Sequence, residues 1–275
     1  MKTAVSMWSV QRQFFKGNIT IDDFLSFAFR AGVDGVELLD CFWKNPAEID
    51  NTIDLIDKNN WTVACYSISN DFVTEDEKEL DEQIAYVKEG IDTAVRLGTD
   101  TLRVFAGNKK MDISYEEGIK YILYGLRECV SYAEQRGIDM VLENHGVFAG
   151  KSNQILAIIN EVGSQRLKAN VDIGNFLLVA EDPMDGIKHL RSSIGYVHLK
   201  DFKRLHDEGI QEVYRSLDDH MYQAIPIGQG DVPIKKTIEF LKSNDYYGYL
   251  SIEYEGIGDP IEETKQSIDF VKSII

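Results

Sequence analysis

The sequence predicts an α/β fold: a (β/α)8, or TIM, barrel spanning residues 1–275 as a single domain. Three observations predict it. Short β-branched runs alternate with longer amphipathic segments from end to end, and such alternation requires parallel strands joined by helical crossovers. Eight such units occur in 275 residues, which is the number and length of a closed barrel. No Gly-x-Gly-x-x-Gly or Walker motif follows an early strand, so a doubly wound open sheet, the competing architecture, lacks its phosphate-binding turn.

The elements follow in order. "TAVSMW" (3–8) reads as the first strand, and "IDDFLSFAFRAG" (21–32) as a helix closed by Gly32. "DGVELL" (34–39) is the second strand, followed by a helix over 46–60 with Pro46 near its start. "WTVACYSI" (61–68) is the third, with a long charged helix over about 75–97 stopped by Gly98. "TLRVFAG" (101–107) is the fourth, and the helix over 114–136 ends at Gly137. "IDMVLENH" (138–145) is the fifth, before a helix over 152–163 with Ser152 as its expected N-cap. "LKANVDIG" (167–174) is the sixth, with a short helix at about 183–192, and "IGYVHLKD" (194–201) is the seventh. A helix over 232–244, the eighth strand "YGYLSIEYE" (247–255) and a helix over 260–274 complete the chain. The rhythm breaks only at 202–231, read as a long loop of the kind that carries function or is disordered.

Composition narrows the function. Hydrophobic residues make up 44% of the chain, enough for a large core, and the net charge is −17. So acidic a surface repels phosphate backbones, so no nucleic acid partner is expected. Three cysteines, Cys41, Cys65 and Cys129, with no Cys-x-x-Cys, argue against a disulfide scaffold and fit a reducing cytoplasm. The opening stretch is too short for a signal core, and no apolar run reaches the roughly 18 residues of a membrane helix, so no membrane partner is expected either.

Barrel active sites lie at the C-terminal ends of the strands. The polar residues there are Glu37, Arg103, Glu143 with His145, Asp172 then Asn175, His198 with Lys200, and Glu253 with Glu255. Side chains alternate along a strand, so Glu143 and His145 share a face, as do His198 and Lys200, while Leu142, Val197 and Leu199 point outward. Glu143, Asp172, His198 and Glu253 come one each from four strands. Three carboxylates and an imidazole form a hard donor set for one divalent metal ion, Mn2+ first, with Mg2+, Co2+ or Zn2+ as alternatives. Taken singly, each has a plainer reading, as a helix-cap partner, a surface ion pair or a satisfied core histidine. "GQGD" (228–231) admits two readings, a phosphate cradle or a tight turn, of which the turn is preferred; "EGIGD" (255–259) is read likewise.

The run "TLRVFAG", "VLENHG", "NVDIGN", "YVHLKDF", "PIGQGDVP" and "LSIEYE" resembles the xylose isomerase-like TIM-barrel superfamily, in its sugar phosphate isomerase/epimerase branch. That branch includes ketose 3-epimerases, inosose isomerases and dehydratases, and hydroxypyruvate isomerases. The resemblance covers the whole chain and implies a metal held by Glu143, Asp172, His198 and Glu253. It further implies that Glu143 and Glu253 act as acid and base. Arg204, six residues after His198, matches a substrate-binding arginine of the epimerases. Asn175 stands where those epimerases carry a histidine, a departure that weighs against a strict 3-epimerase.

The expected activity is that of a metal-dependent isomerase or epimerase of a small sugar or polyol-derived ketone. It would work by proton transfer through an enediolate that the metal stabilises. His145, Lys200, Arg204, Arg103 and Glu37 are the expected substrate contacts. Two alternatives stay open: a dehydratase or lyase on a keto-sugar, inosose or 3-keto-glycoside, and a barrel that binds sugar without turnover. The expected partner is a small carbohydrate, with self-association into a homo-oligomer left open.

Overall fold

In the computed structural model, which describes residues 1–206 and 212–275, eight parallel strands close into a barrel. They are β1 (Lys2–Ser6), β2 (Gly35–Leu39), β3 (Val63–Ser67), β4 (Thr101–Val104), β5 (Asp139–Glu143), β6 (Leu167–Asp172), β7 (Ile194–Leu199) and, last in the chain, β11 (Tyr249–Ile252). Closure comes where β11 pairs with β7 on one side and with β1 on the other, Ala4 opposite Ser251.

The helices start and stop where local chemistry dictates. Thr20 and Asp23 form a reciprocal capping box on α2 (Ile21–Ala31), and Gly32 ends it in the left-handed region at φ 67°. Asn45 caps α3 (Pro46–Asn59), which begins on proline. The longest pair, α4 (Glu77–Arg96) and α5 (Tyr115–Arg136), pack together outside β3 to β5. One cap departs from expectation. Ser152 is the first residue of α6 (Ser152–Val162), not its N-cap, and its N–H is taken by the Glu181 carboxylate at 2.8 Å.

Alternation sorts the interior into two regions. Leu142, Val171, Val197 and Leu199 join the large apolar layer between strands and helices. Val141 and Tyr196 instead join a small cluster with Ala4, Ala64 and Cys65, packed against Tyr249. Two residues further along their strands, on the same faces, come Glu143 and His198. The barrel interior therefore changes from apolar to polar along its axis.

Residues 202–231 are not one long loop. After β7 the chain enters β8 (Asp201–Leu205), which pairs antiparallel with β10 (Met221–Ile225), itself paired with β9 (Tyr214–Arg215). Part of the expected loop, 207–211, lies outside the described residues. The sheet forms because alternating apolar residues give it a buried side: Phe202 is fully buried, with Tyr214 at 5.0 Å and Tyr222 at 6.3 Å between ring centroids.

Candidate active site

Glu143 ends β5 with both oxygens engaged. Oε2 lies 3.2 Å from Arg103 Nε, and Oε1 accepts from Asn175 Nδ2 at 3.3 Å. Burial raises the Glu143 pKa, against the opposing charges of Arg103 and His198. Arg103 is itself buried. It donates to the Ile68 carbonyl at 2.8 Å and stacks 4.0 Å over Phe105. Arg103 therefore holds a glutamate.

His198 is fully buried and held from below. Its Nε2 lies 3.0 Å from Glu37 Oε2, and Glu37 in turn accepts from Ser67 and Ser251, each at 2.7 Å. Burial would lower the His198 pKa, but the charges of Glu37 and Glu253 overcome it and raise it. The same pairing lowers the Glu37 pKa despite its burial. With Nε2 held, Nδ1 lies 3.6 Å from Glu143 Oε2 and 3.7 Å from Glu253 Oε2.

Glu37 was expected to contact substrate, yet it is fully buried and makes its bonds to His198, Ser67 and Ser251. Its place is behind the imidazole, the position from which a carboxylate orients a metal-binding histidine. Glu37→Gln is expected to weaken Mn2+ affinity about 10- to 100-fold with the fold retained. Calorimetric Mn2+ titration of variant and parent checks this, and equal affinities would remove Glu37 from the site.

Asp172 lies at the end of β6. Its Oδ1 accepts from the backbone of Gly174 (3.0 Å) and Asn175 (3.2 Å). Oδ2, fully buried, lies 2.9 Å from Lys200 Nζ but accepts no well-directed hydrogen bond. One ligand atom each from Glu143, Asp172 and His198 fall within 4.8 Å of one another. An incompletely satisfied carboxylate oxygen in such a group completes a hard donor set, so the residue types and spacing fit a divalent metal. Glu253, the fourth expected ligand, is adjacent, but its Oε2 is paired with Lys200 at 2.8 Å.

Lys200 sits in the kink between β7 and β8, in contact with Asp172, Glu253 and Glu255. Glu255 is fixed from its other sides by Trp8 Nε1 (2.9 Å) and the Tyr214 hydroxyl (2.6 Å). The accessory sheet thus reaches the barrel mouth through Tyr214. His145 is exposed at the mouth, its ring 5.0 Å from Phe105. Arg204 is exposed on β8, where its main-chain N–H donates to Asp231 at 2.8 Å. Its guanidinium is not packed into the buried cluster, because β8 leaves the barrel. His189 is exposed on α8 (Pro183–Leu190), and His220 pairs with Asp218 at 3.0 Å.

Two residues had no role assigned from sequence. Asn144 donates through Nδ2 to the Asp172 carbonyl (2.9 Å) and accepts the Asp172 N–H at 2.7 Å. It locks the end of β5 to the end of β6. Asn170, fully buried, places its Nδ2 3.4 Å from Glu143 Oε2 and 3.3 Å from His198 Nδ1. Neither contact could be read from spacing, since each crosses to another strand. Asn144→Ala leaves the Asp172 N–H and carbonyl without these partners and is expected to cost about 1–3 kcal/mol. Urea denaturation measures it, and an unchanged midpoint would show the clasp to be idle.

The "GQGD" turn is decided by Asp201. Its carboxylate fills the turn, accepting from the N–H groups of Gly228 (2.8 Å), Gly230 (2.9 Å) and Val232 (3.1 Å).

The profile of the xylose isomerase-like TIM barrel family matches residues 25–274. The chain belongs to that family. Among curated relatives, the inosose dehydratase of Mesomycoplasma hyopneumoniae strain J is 24% identical over 273 residues, covering 94% of this chain and 90% of the relative. The barrel is similar to a D-tagatose 3-epimerase-like protein, with TM-score 0.80 and 20% identity over 100% of this chain and 97% of the other. It is also similar to the probable 3-DHS dehydratase AsbF of Bacillus anthracis, with TM-score 0.79 and 20% identity over 99% of each chain. Family membership and the buried carboxylate–imidazole triad support a metal-dependent enzyme. No helix of the described residues is long and apolar enough to cross a membrane.

Proposed function

We propose that this protein is an isomerase or epimerase that moves the proton on the carbon beside the ketone of a small polyhydroxy compound. The observation that carries this reading is the placing of Glu143 and Glu253, at 3.6 and 3.7 Å from the same His198 nitrogen. Two carboxylates at one buried site can remove a proton and return it elsewhere. Glu143, Asp172 and His198, with Glu253 as fourth donor, would hold a divalent ion, which would supply Lewis-acid polarisation of the ketone. The oxygen-rich donor set favours Mn2+.

The remaining roles belong to side chains. Arg103 and Asn175 aim the Glu143 carboxylate. Glu37 fixes the imidazole tautomer that leaves Nδ1 toward Glu143 and Glu253. Lys200 and His145 meet substrate hydroxyls, and Trp8 and Tyr214 hold Glu255 beside Lys200. A second reading, dehydration, shares the first proton removal and then loses a hydroxyl from the next carbon. The full-length similarity to proteins named inosose dehydratase favours it, and so does Asn175 in place of the histidine of the 3-epimerases.

The test is Mn2+-loaded protein with ketoses and inososes in D2O, followed by NMR. Deuterium beside the carbonyl in a changed sugar is the expected result. Loss of water would transfer the assignment to the dehydratase. No exchange into any of these compounds, or exchange that survives a chelator, would sink the metal-dependent reading.

A further inference from the structure

Loops after the seventh and eighth strands are where barrels of this type often hold phosphate. In this chain the backbone there has the right form: three N–H groups, from Gly228, Gly230 and Val232, converge on one point just before α9 (Ile234–Ser243). Such a nest binds an anion. The anion is already present, because both oxygens of the buried Asp201 carboxylate occupy it. The backbone is shaped to that tenant. Gly228 adopts φ +94°, and a Cβ on Gly230 would run into the Asp201 carboxylate and lie 2.6 Å from the Phe202 carbonyl.

The two buried cations of the site are engaged as well. Arg103 faces Glu143 at 3.2 Å, and Lys200 faces three carboxylates at 2.8–3.0 Å. Arg12, beside the accessory sheet, is paired with Glu212. Arg204, exposed on β8, is the cation of the expected substrate contacts with no carboxylate in ion-pair distance among the described residues. A phosphate dianion at this mouth would meet Glu253 and Glu255 with its backbone cradle closed. Carboxylates, by contrast, accept hydrogen bonds from sugar hydroxyls.

We propose that the site takes an uncharged polyhydroxy ketone and discriminates against its phosphate esters, with Asp201 sealing the anion cradle. This rests on the proton-transfer reading above and adds the charge class of the substrate.

The experiment compares D-fructose with D-fructose 6-phosphate, titrated by calorimetry into Mn2+-loaded protein at low salt. The same pair is followed for deuterium exchange. Inorganic phosphate is titrated separately into chelator-treated protein, where no bound ion can hold it. The ester is expected to bind at least tenfold more weakly than the free ketose, and phosphate to show no saturable binding. Asp201→Gly, which uncovers the three N–H groups, is expected to gain phosphate binding. Should that variant fail to fold, the wild-type titrations still decide. Saturable phosphate binding by the wild type overturns the proposal, as does tighter binding of the ester that Arg204→Ala abolishes. Absence of exchange from both sugars counts against proton transfer alone, while the phosphate titration still decides the cradle.

Discussion

Glu143→Gln is expected to lower solvent-deuterium exchange into the substrate about 10²- to 10⁴-fold, the range for loss of a positioned acid or base. Glutamine keeps the length of the side chain and an oxygen that can face Arg103. It cannot carry a proton between two carbons, and it is a poorer donor to a hard cation. The loss should therefore appear in both turnover and Mn2+ affinity. The fold faces a separate demand, because Arg103 is buried and loses the charge that faces it at 3.2 Å. A buried charge left unpaired costs about 3–5 kcal/mol, less here to the extent that the amide oxygen still accepts. Exchange measured by NMR, with Mn2+ calorimetry and thermal denaturation on the same sample, separates these effects. Exchange at the wild-type rate would remove Glu143 from the chemistry. Lost exchange together with a collapsed fold would call for Glu253→Gln to decide.

Gly230→Ala is expected to be strongly destabilising. The added Cβ would enter the space of the Asp201 carboxylate and of the Phe202 carbonyl, so the turn must open. Opening it separates a buried carboxylate from three N–H donors. Leaving such groups unsatisfied costs about 1–3 kcal/mol each, so a total above 3 kcal/mol is expected. That corresponds to a fall in melting temperature of roughly 6 °C or more. Because Asp201 follows Lys200 directly, Mn2+ affinity should fall as well. A variant that melts with the parent would show that the turn relaxes without strain. Gly98→Ala is the control: its added Cβ meets nothing within 4 Å, so only the cost of its positive φ is expected.

The barrel was legible because alternation along a strand and 3.6-residue periodicity along a helix are local properties. Each of the eight barrel strands overlaps its predicted range, and the helix over 114–136 begins within one residue of where it was expected. The eighth strand is shorter than predicted, Tyr249–Ile252 rather than 247–255. At its start Tyr247 is exposed, and past its end the Tyr254 N–H donates to the Ser9 hydroxyl at 3.0 Å instead of to a neighbouring strand. The accessory sheet was missed because β9 has two residues and the partners β8 and β10 are joined through a long connection. Neither shows a sustained period.

Residue type and strand end were enough to nominate Glu143, Asp172 and His198, which the fold brings within 4.8 Å of one another. Depth was not legible. Glu37 lies opposite Cys65 on β3, on a strand whose stagger sets it behind His198, and stagger is a property of the closed barrel. Asn144, Asn170 and Asn175 read as neutral polar residues until the neighbouring strands arrive. The same holds for Arg204, whose spacing from His198 is visible in the chain while the departure of β8 from the barrel is not.

What the sequence determined by itself is therefore which residues face inward and at which end of each strand they lie, because the pleat makes direction a matter of counting. The tertiary structure alone decided which of them meet. It set Glu37 behind the imidazole, drew Lys200 among three carboxylates and filled the glycine turn with Asp201. The first two are contacts between barrel strands, which only closure and stagger bring to one place; the last follows from the pairing of β8 with β10, which sets Asp201 opposite Ile225.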